Sequence, residues 1–345
     1  MTAPARGPGL LNSIAHRLAG DAVELPIEGR LASFDRATGW LNSEPLTPEG
    51  LGGRVVVVDF WTYTCVNWLR TLPYLQAWAS KYADHGLTIV GVHTPEFGFE
   101  HQLENVRAQA QALGVDYPIA LDNDYGVWRA FANHYWPALY VADEQGRIRY
   151  HHFGEGEYAM SEMVIQQLLL DAGAADVDRD LVIVDPRGLE VSADFRSLQS
   201  PETYVGYGHS TGFAQEDVGA FDEPRTYSLT PLRLNEWALA GAWTVSRLAG
   251  RVNGPGGKIA FRFHARDLNL VMGPSSPGSP VAFRITLDGL PPKDAAGVDT
   301  EADGRGTVGE QRTYQLIRQP GPIADRLFEI EFLDPGLEAY CFTFG

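Results

Sequence analysis

Six consecutive residues constrain this chain more than any other stretch: Val55, Val56, Val57, Val58, Asp59 and Phe60. A β-branched run this continuous has no polar face, so it fits a strand buried on both sides, as at the centre of a sheet covered by helices. The next residues suit that setting. Leu69, Leu72, Leu75, Trp78 and Tyr82 recur every three or four residues between Val66 and Tyr82, the spacing of a helix with one apolar face. Leu87–Val92 is a second buried strand after the stop Asp84-His85-Gly86. The pattern then predicts a helix over 99–113, a strand over 117–121, a short helix over 126–132 and a last helix over 160–171. Between the last two lies a hairpin of 138–141 and 148–152, turning at Asp143-Glu144-Gln145-Gly146. This β-α-β-α-β-α-β-β-α order is an α/β sheet with a terminal antiparallel hairpin.

The register changes after Asp171. Residues 173–180 are small and acidic and read as a linker. Beyond them come short alternating runs punctuated by glycine and proline: 258–264, 268–272, 281–288, 312–318, 327–333 and 339–344. Regularly spaced short strands predict a β-sandwich, here jelly-roll-like. The expected organisation is an N-terminal extension over 1–24, an α/β domain over 25–172, the linker, and an all-β domain over 181–345.

Lys and Arg number 27 against 44 Asp and Glu, a net charge of −17. Nucleic acid and anionic membrane surfaces reward clustered positive charge and are not expected partners. Two cysteines, Cys65 and Cys341, exclude a disulfide-stapled scaffold, a four-cysteine zinc site and a cysteine-ligated iron–sulfur cluster. No apolar stretch reaches the roughly 18–20 residues of a membrane helix, and residues 1–20 lack the apolar core of a leader, so a cytoplasmic location is expected.

Cys65 falls between the buried strand and the first helix, where helix N–H groups and the helix dipole stabilise a thiolate, the reactive form of the side chain. The surrounding residues resemble the thioredoxin superfamily. Asp59-Phe60-Trp61 precedes the cysteine, Pro73 lies eight residues after it, and Trp136-Pro137 leads into Ala138–Val141. The extra βα block over 87–121 makes the resemblance closer to the TlpA-like and peroxiredoxin-like branches than to thioredoxin itself. The whole chain resembles the C-terminal portion of DipZ-type proteins, which join such a domain to a carbohydrate-binding-module-like β-sandwich. The resemblance implies a nucleophilic Cys65, a cis peptide at Pro137 in a substrate-contacting loop, and Asp59 as a buried proton relay. One departure stands out. The family's Cys-x-x-Cys is Cys65-Val66-Asn67-Trp68 here, and a tryptophan cannot resolve a mixed disulfide.

Three readings of Cys65 stand at this point: a single thiol regenerated by an external thiol, a thiol resolved by Cys341, or a vestige in a binding protein. The leading expectation is a single-cysteine oxidoreductase acting on a disulfide or a peroxide, with catalytic residues Cys65, Thr62 and Asp59. Thr62, three residues before the cysteine, resembles the peroxide-orienting threonine of peroxiredoxins, and Arg129, Arg147 and Arg149 are candidates for their arginine. Trp61, Asn67, Trp68, Trp136 and Pro137 are expected to shape the substrate pocket. The competing class is a non-catalytic protein binding glycan or a protein partner, with Tyr204, Tyr207, Trp237 and Trp243 available for stacking on sugar. No cofactor is expected, except that Asp299, Glu301, Asp303 and Glu310 approach the spacing of a Ca2+ loop.

Overall fold

The computed structural model describes residues 24–215 and 221–345. The expected extension over 1–24 lies outside the described residues except for Glu24. The chain divides between Asp185 and Pro186 into two compact units.

In the first unit the strands are β1 (Gly29–Arg30), β2 (Gly39–Leu41), β3 (Val55–Trp61), β4 (Leu87–His93), β5 (Ile119–Leu121), β6 (Ala138–Ala142) and β7 (Arg147–Phe153). They form one sheet in the order β1-β7-β6-β3-β4-β5-β2. β4 runs parallel to β3 and to β5, whereas β6 is antiparallel to β3 and to β7. The valine run is the central strand, and all seven residues of β3 are buried. The helices are α1 (Val66–Tyr82), α2 (Leu103–Ala112), α3 (Gly126–Ala130) and α4 (Tyr158–Asp171). α1 buries Leu69, Leu72, Leu75, Trp78 and Tyr82 and carries Pro73 within it.

The helix expected over 99–113 is in fact two pieces. A 3-10 turn over Gly98–His101 precedes α2, and Gln102 between them is extended at φ −77° and ψ 116°. The cause is Glu100, whose carboxylate accepts the N–H groups of Glu96 and Phe97 and closes the turn on itself. The edge strands β1 and β2, two and three residues long, are too short to show a period and escape the sequence pattern. The acidic stretch read as a linker folds back on its own unit. Lys81 Nζ donates to the Asp180 carbonyl, and Val182 N donates to Glu162 Oε2 at 2.9 Å.

The second unit is all-β. Its strands are β8 (Thr203–Tyr204), β9 (Pro224–Tyr227), β10 (Trp237–Val245), β11 (Gly250–Val252), β12 (Gly257–Phe263), β13 (Asp267–Pro274), β14 (Val281–Leu287), β15 (Arg305–Val308), β16 (Arg312–Arg318), β17 (Arg326–Phe332) and β18 (Leu337–Phe344). They take the path β15-β14-β17-β12-β10-β11-β18-β13-β16, with β8 on β18 and β9 on β10. In a flat sheet β12 and β18 would lie about 14 Å apart, three strand spacings. Instead the rings of Phe261 and Phe342 are 5.1 Å apart, and Phe328 and Phe344 join the same core. The sheet has curled until its halves face one another.

β10 makes the turn. Trp237–Ala240 pair with β12, and Trp243–Val245 pair with β11. Gly241 at the corner has φ +84°, and a Cβ there would lie 3.1 Å from Gly257 Cα. Strict alternation along β18 would place Tyr340, Phe342 and Phe344 on one face. A bulge between Val271 and Met272 puts Ala339, not Tyr340, in the core beside the two phenylalanines. Replacing Gly241 by valine is expected to destabilise the second unit by about 1–3 kcal/mol, the usual cost of a side chain at such a backbone conformation. A lowered denaturant midpoint at unchanged slope is the measurement.

Candidate active site at Cys65

β3 ends at Trp61, and the chain turns through Thr62–Cys65 into α1. Cys65 N donates to Thr62 O at 3.1 Å, and Leu69 N donates to Cys65 O at 3.0 Å. Cys65 is therefore the residue that caps α1, and no acidic side chain occupies the helix's first turn to offset its dipole. The cysteine is part-exposed, as is Asn67, while Thr62 and Thr64 are buried.

Trp68 fills the position three residues on, and it is fully buried. Its indole N–H donates to Asp59 Oδ2 at 2.9 Å, and its ring stacks on Trp61 with centroids 4.2 Å apart. Trp61 finds room because β4 carries Gly91, where a Cβ would come within 2.8 Å of the Trp61 indole nitrogen. Burial drives the Asp59 carboxyl up from 3.8 to about 7, against the opposing pull of the Trp68 indole and the Tyr117 hydroxyl.

Behind the turn lies a second buried group. His93 Nε2 is 3.5 Å from Thr62 Oγ1, and burial holds the imidazole neutral, its pKa lowered to about 3. Thr64 Oγ1 donates to Glu100 Oε1 at 2.6 Å. Burial raises the Glu100 pKa, countered by the threonine hydroxyls and the backbone N–H groups of Phe97 and Glu96. The sequence pattern does not single out His93, Thr64, Glu100 or Tyr117. The legible trace of Glu100 is a charge set between Phe97 and Phe99 on one side and an amphipathic helix on the other.

The Trp136–Pro137 peptide is cis. Pro137 is buried, whereas Trp136 is part-exposed and anchored: its indole donates to Thr94 O at 3.1 Å and packs 4.3 Å from the Trp128 ring. Thr94 N in turn donates to Trp61 O at 3.0 Å, which ties this loop to the end of β3. On the other side of α1, the buried Arg70 reaches Glu155 Oε1 at 2.7 Å. The candidate arginines are engaged elsewhere. Arg147 and Arg149 share Asp143 at 2.7 and 3.0 Å, and Arg129 donates to Asp124 O.

Cys341 belongs to β18 of the second unit, where it is buried and its thiol is 3.5 Å from Phe342 O. Of the calcium-loop residues, Asp299 holds Arg312 at 2.7 Å and the Gln315 N–H at 2.8 Å, and Asp303 holds Arg305. Among the described residues no three His, Cys, Asp or Glu side chains come together as a metal-binding group. Trp237 and Trp243 are core residues, and Tyr204 and Tyr207 are part-exposed.

The Asp59 shift has a signed consequence for stability. From about pH 4 to pH 7 the unfolded chain releases this proton while the folded chain, with a pKa of about 7, retains it, so stability falls as pH rises. The full effect is on the order of 4 kcal/mol above that window. His93 acts oppositely, removing stability as pH falls from 6.5 towards 3. Asp59→Asn keeps an acceptor for Trp68 and abolishes the first effect. Its stability relative to wild type, by chemical denaturation, is expected to rise steadily between pH 4 and 7.

Residues 38–151 match the AhpC/TSA family, and residues 200–345 match the family described as the thioredoxin-like C-terminal domain. Protein DipZ of Mycobacterium bovis is 33% identical over 331 residues, 94% of this chain and 44% of DipZ. Thus the chain spans less than half the length of that relative. SUPPRESSOR OF QUENCHING 1 of Arabidopsis thaliana is 32% identical over 174 residues, 50% of this chain and 16% of that protein. Thiol-disulfide oxidoreductase YkuV of Bacillus subtilis is 28% identical over 132 residues, 38% of this chain and 88% of YkuV. No helix of the described residues is long and apolar enough to cross a membrane. The chain thus joins a thioredoxin-like redoxin region, similar to the AhpC/TSA family, to a region similar to the thioredoxin-like C-terminal domain, and aligns with DipZ across both.

Proposed function

We propose that the first unit carries out thiol–disulfide exchange through Cys65 as a single thiol, regenerated by an external thiol. One observation carries this reading. Cys65 is part-exposed at the start of α1, while the place of a second thiol is taken by Trp68, buried and bonded to Asp59. The Cys65 thiolate attacks one sulfur of a substrate disulfide, forms a mixed disulfide, and expels the other sulfur as a thiolate. An external thiolate then attacks the substrate sulfur of that mixed disulfide. It restores the Cys65 thiolate and leaves a new disulfide between reductant and substrate. Trp136, anchored beside the end of β3, and Pro137 border the approach, and Asn67 supplies a polar edge.

Disulfides fit better than peroxides as substrates. The Thr62 hydroxyl is buried and faces His93, and the three candidate arginines are held by Asp143 and by the Asp124 carbonyl. Exchange rather than oxygen transfer is the chemistry these neighbours favour. YkuV, which is similar to the first unit, bears the name of a thiol-disulfide oxidoreductase.

Cys65→Ser is expected to abolish turnover of a dye-labelled mixed-disulfide reporter, and Cys341→Ser to leave it within about twofold. Alkylation of Cys65 should be half-maximal below the roughly pH 8.5 of an ordinary thiol. An adduct with substrate should persist until an external thiol is added, as read by non-reducing mass spectrometry. Trp68→Cys should shorten that adduct's life by supplying a resolving thiol, while lowering stability by about 3–5 kcal/mol through loss of a buried tryptophan. Activity retained in Cys65→Ser, or glycan binding by a chain whose Cys65 is inert, would point instead to a binding protein.

A further inference from the structure

We propose that Glu100 and Thr64 are a positioning pair that holds Cys65 at the N-terminus of α1. The proposal rests on the reading of Cys65 as the reacting thiol. Thr64 directly precedes the cysteine, and its buried hydroxyl donates to Glu100 Oε1 at 2.6 Å, a short charge-assisted bond. The other carboxylate oxygen, Oε2, accepts Glu96 N at 2.6 Å and Phe97 N at 2.9 Å. One buried carboxylate thereby grips two segments at once: the turn that presents the nucleophile and the loop after β4.

That loop is also where Trp136 is fastened. Thr94, two residues before Glu96, gives its N–H to Trp61 O and receives the Trp136 indole at its carbonyl. The turn from Thr62 to Cys65, the loop after β4 and the cis-proline loop are thus linked through groups buried behind the site. Burying a carboxylate is costly unless its oxygens are satisfied. Apolar packing would join the same segments at lower cost, but without fixing the direction in which Cys65 leaves the strand. A pair of directional bonds fixes both position and orientation, which a nucleophile at a helix terminus requires.

The test uses the full chain carrying Cys341→Ser, so that iodoacetamide reports on Cys65 alone. Thr64→Val removes the hydroxyl at nearly constant volume, and Thr64→Ser restores it. With folding confirmed by tryptophan fluorescence, Thr64→Val is expected to slow Cys65 alkylation at neutral pH by about tenfold or more, the loss of one such bond. Thr64→Ser should return the rate to within about twofold of the parent. A rate unchanged or raised in Thr64→Val overturns the proposal, because a merely structural strap would alter stability without slowing the thiol. If Thr64→Val does not fold, Glu100→Gln takes its place: slowed alkylation upholds the pair and parental alkylation overturns it. A parent Cys65 that does not react at all overturns the single-thiol reading itself, whereas a reactive parent with an indifferent Thr64→Val overturns only the pair.

Discussion

The bond from the Trp68 indole to Asp59 is the constraint around which the first unit is arranged. It joins the central strand to the next helix, across the turn that carries Cys65, and it does so in a fully buried place. Two large aromatic rings must then be housed above the sheet. Trp61 lies on Trp68, and β4 accommodates them with Gly91 rather than a side chain. The acid, the two tryptophans and the glycine form one packing unit. Of these groups it is Trp68 that stands three residues after Cys65.

The site is costly in the ordinary terms of folding. Asp59, His93 and Glu100 are each completely buried, and for each the burial opposes the charged form. The surrounding fold compensates with an unbroken apolar strand and with aromatic contacts around Phe60, Trp128, Phe131 and Tyr140. Such polar groups concentrated at one end of a sheet, inside an otherwise apolar frame, are typical of a site shaped for reaction rather than for stability alone.

How much of this is legible in the sequence depends on the range of the forces involved. β3 and α1 are plain because their signals are local and unmixed: a valine run without a polar face, then a clean helical period. The position of Cys65 between them is equally plain. The partners of Thr62 and Thr64 are hidden, because His93 and Glu100 arrive from 31 and 36 residues away. The Trp68 bond is hidden too, since a residue type reveals occupancy of a position and not the direction of its N–H. In the second unit β8, β9, β10, β11 and β15 escape the pattern; four of them are no longer than four residues, and in the nine-residue β10 Gly241 interrupts alternation at the corner of the sheet. Alternation groups Tyr340 with Phe342 and Phe344, but a bulge shifts the register so that Ala339 joins the two phenylalanines, which no alternating pattern records.

The strand path of the second unit ends at β15 and β16, with the two-residue β8 and the four-residue β9 as side branches, and the treatment of these edges limits how anything can attach to the sheet. β15, at one end, is only four residues long. β16, at the other, is bordered by the segment 296–299, which directs the N–H groups of Gly297 and Asp299 to the carbonyls of Leu316 and Gln315. Both are ways of denying an incoming chain a strand to pair with. Association with this unit therefore falls to side chains on its faces and loops, where recognition is set by shape and charge. Growth of the sheet by added strands, the common route to uncontrolled aggregation of β proteins, is disfavoured by the same arrangement.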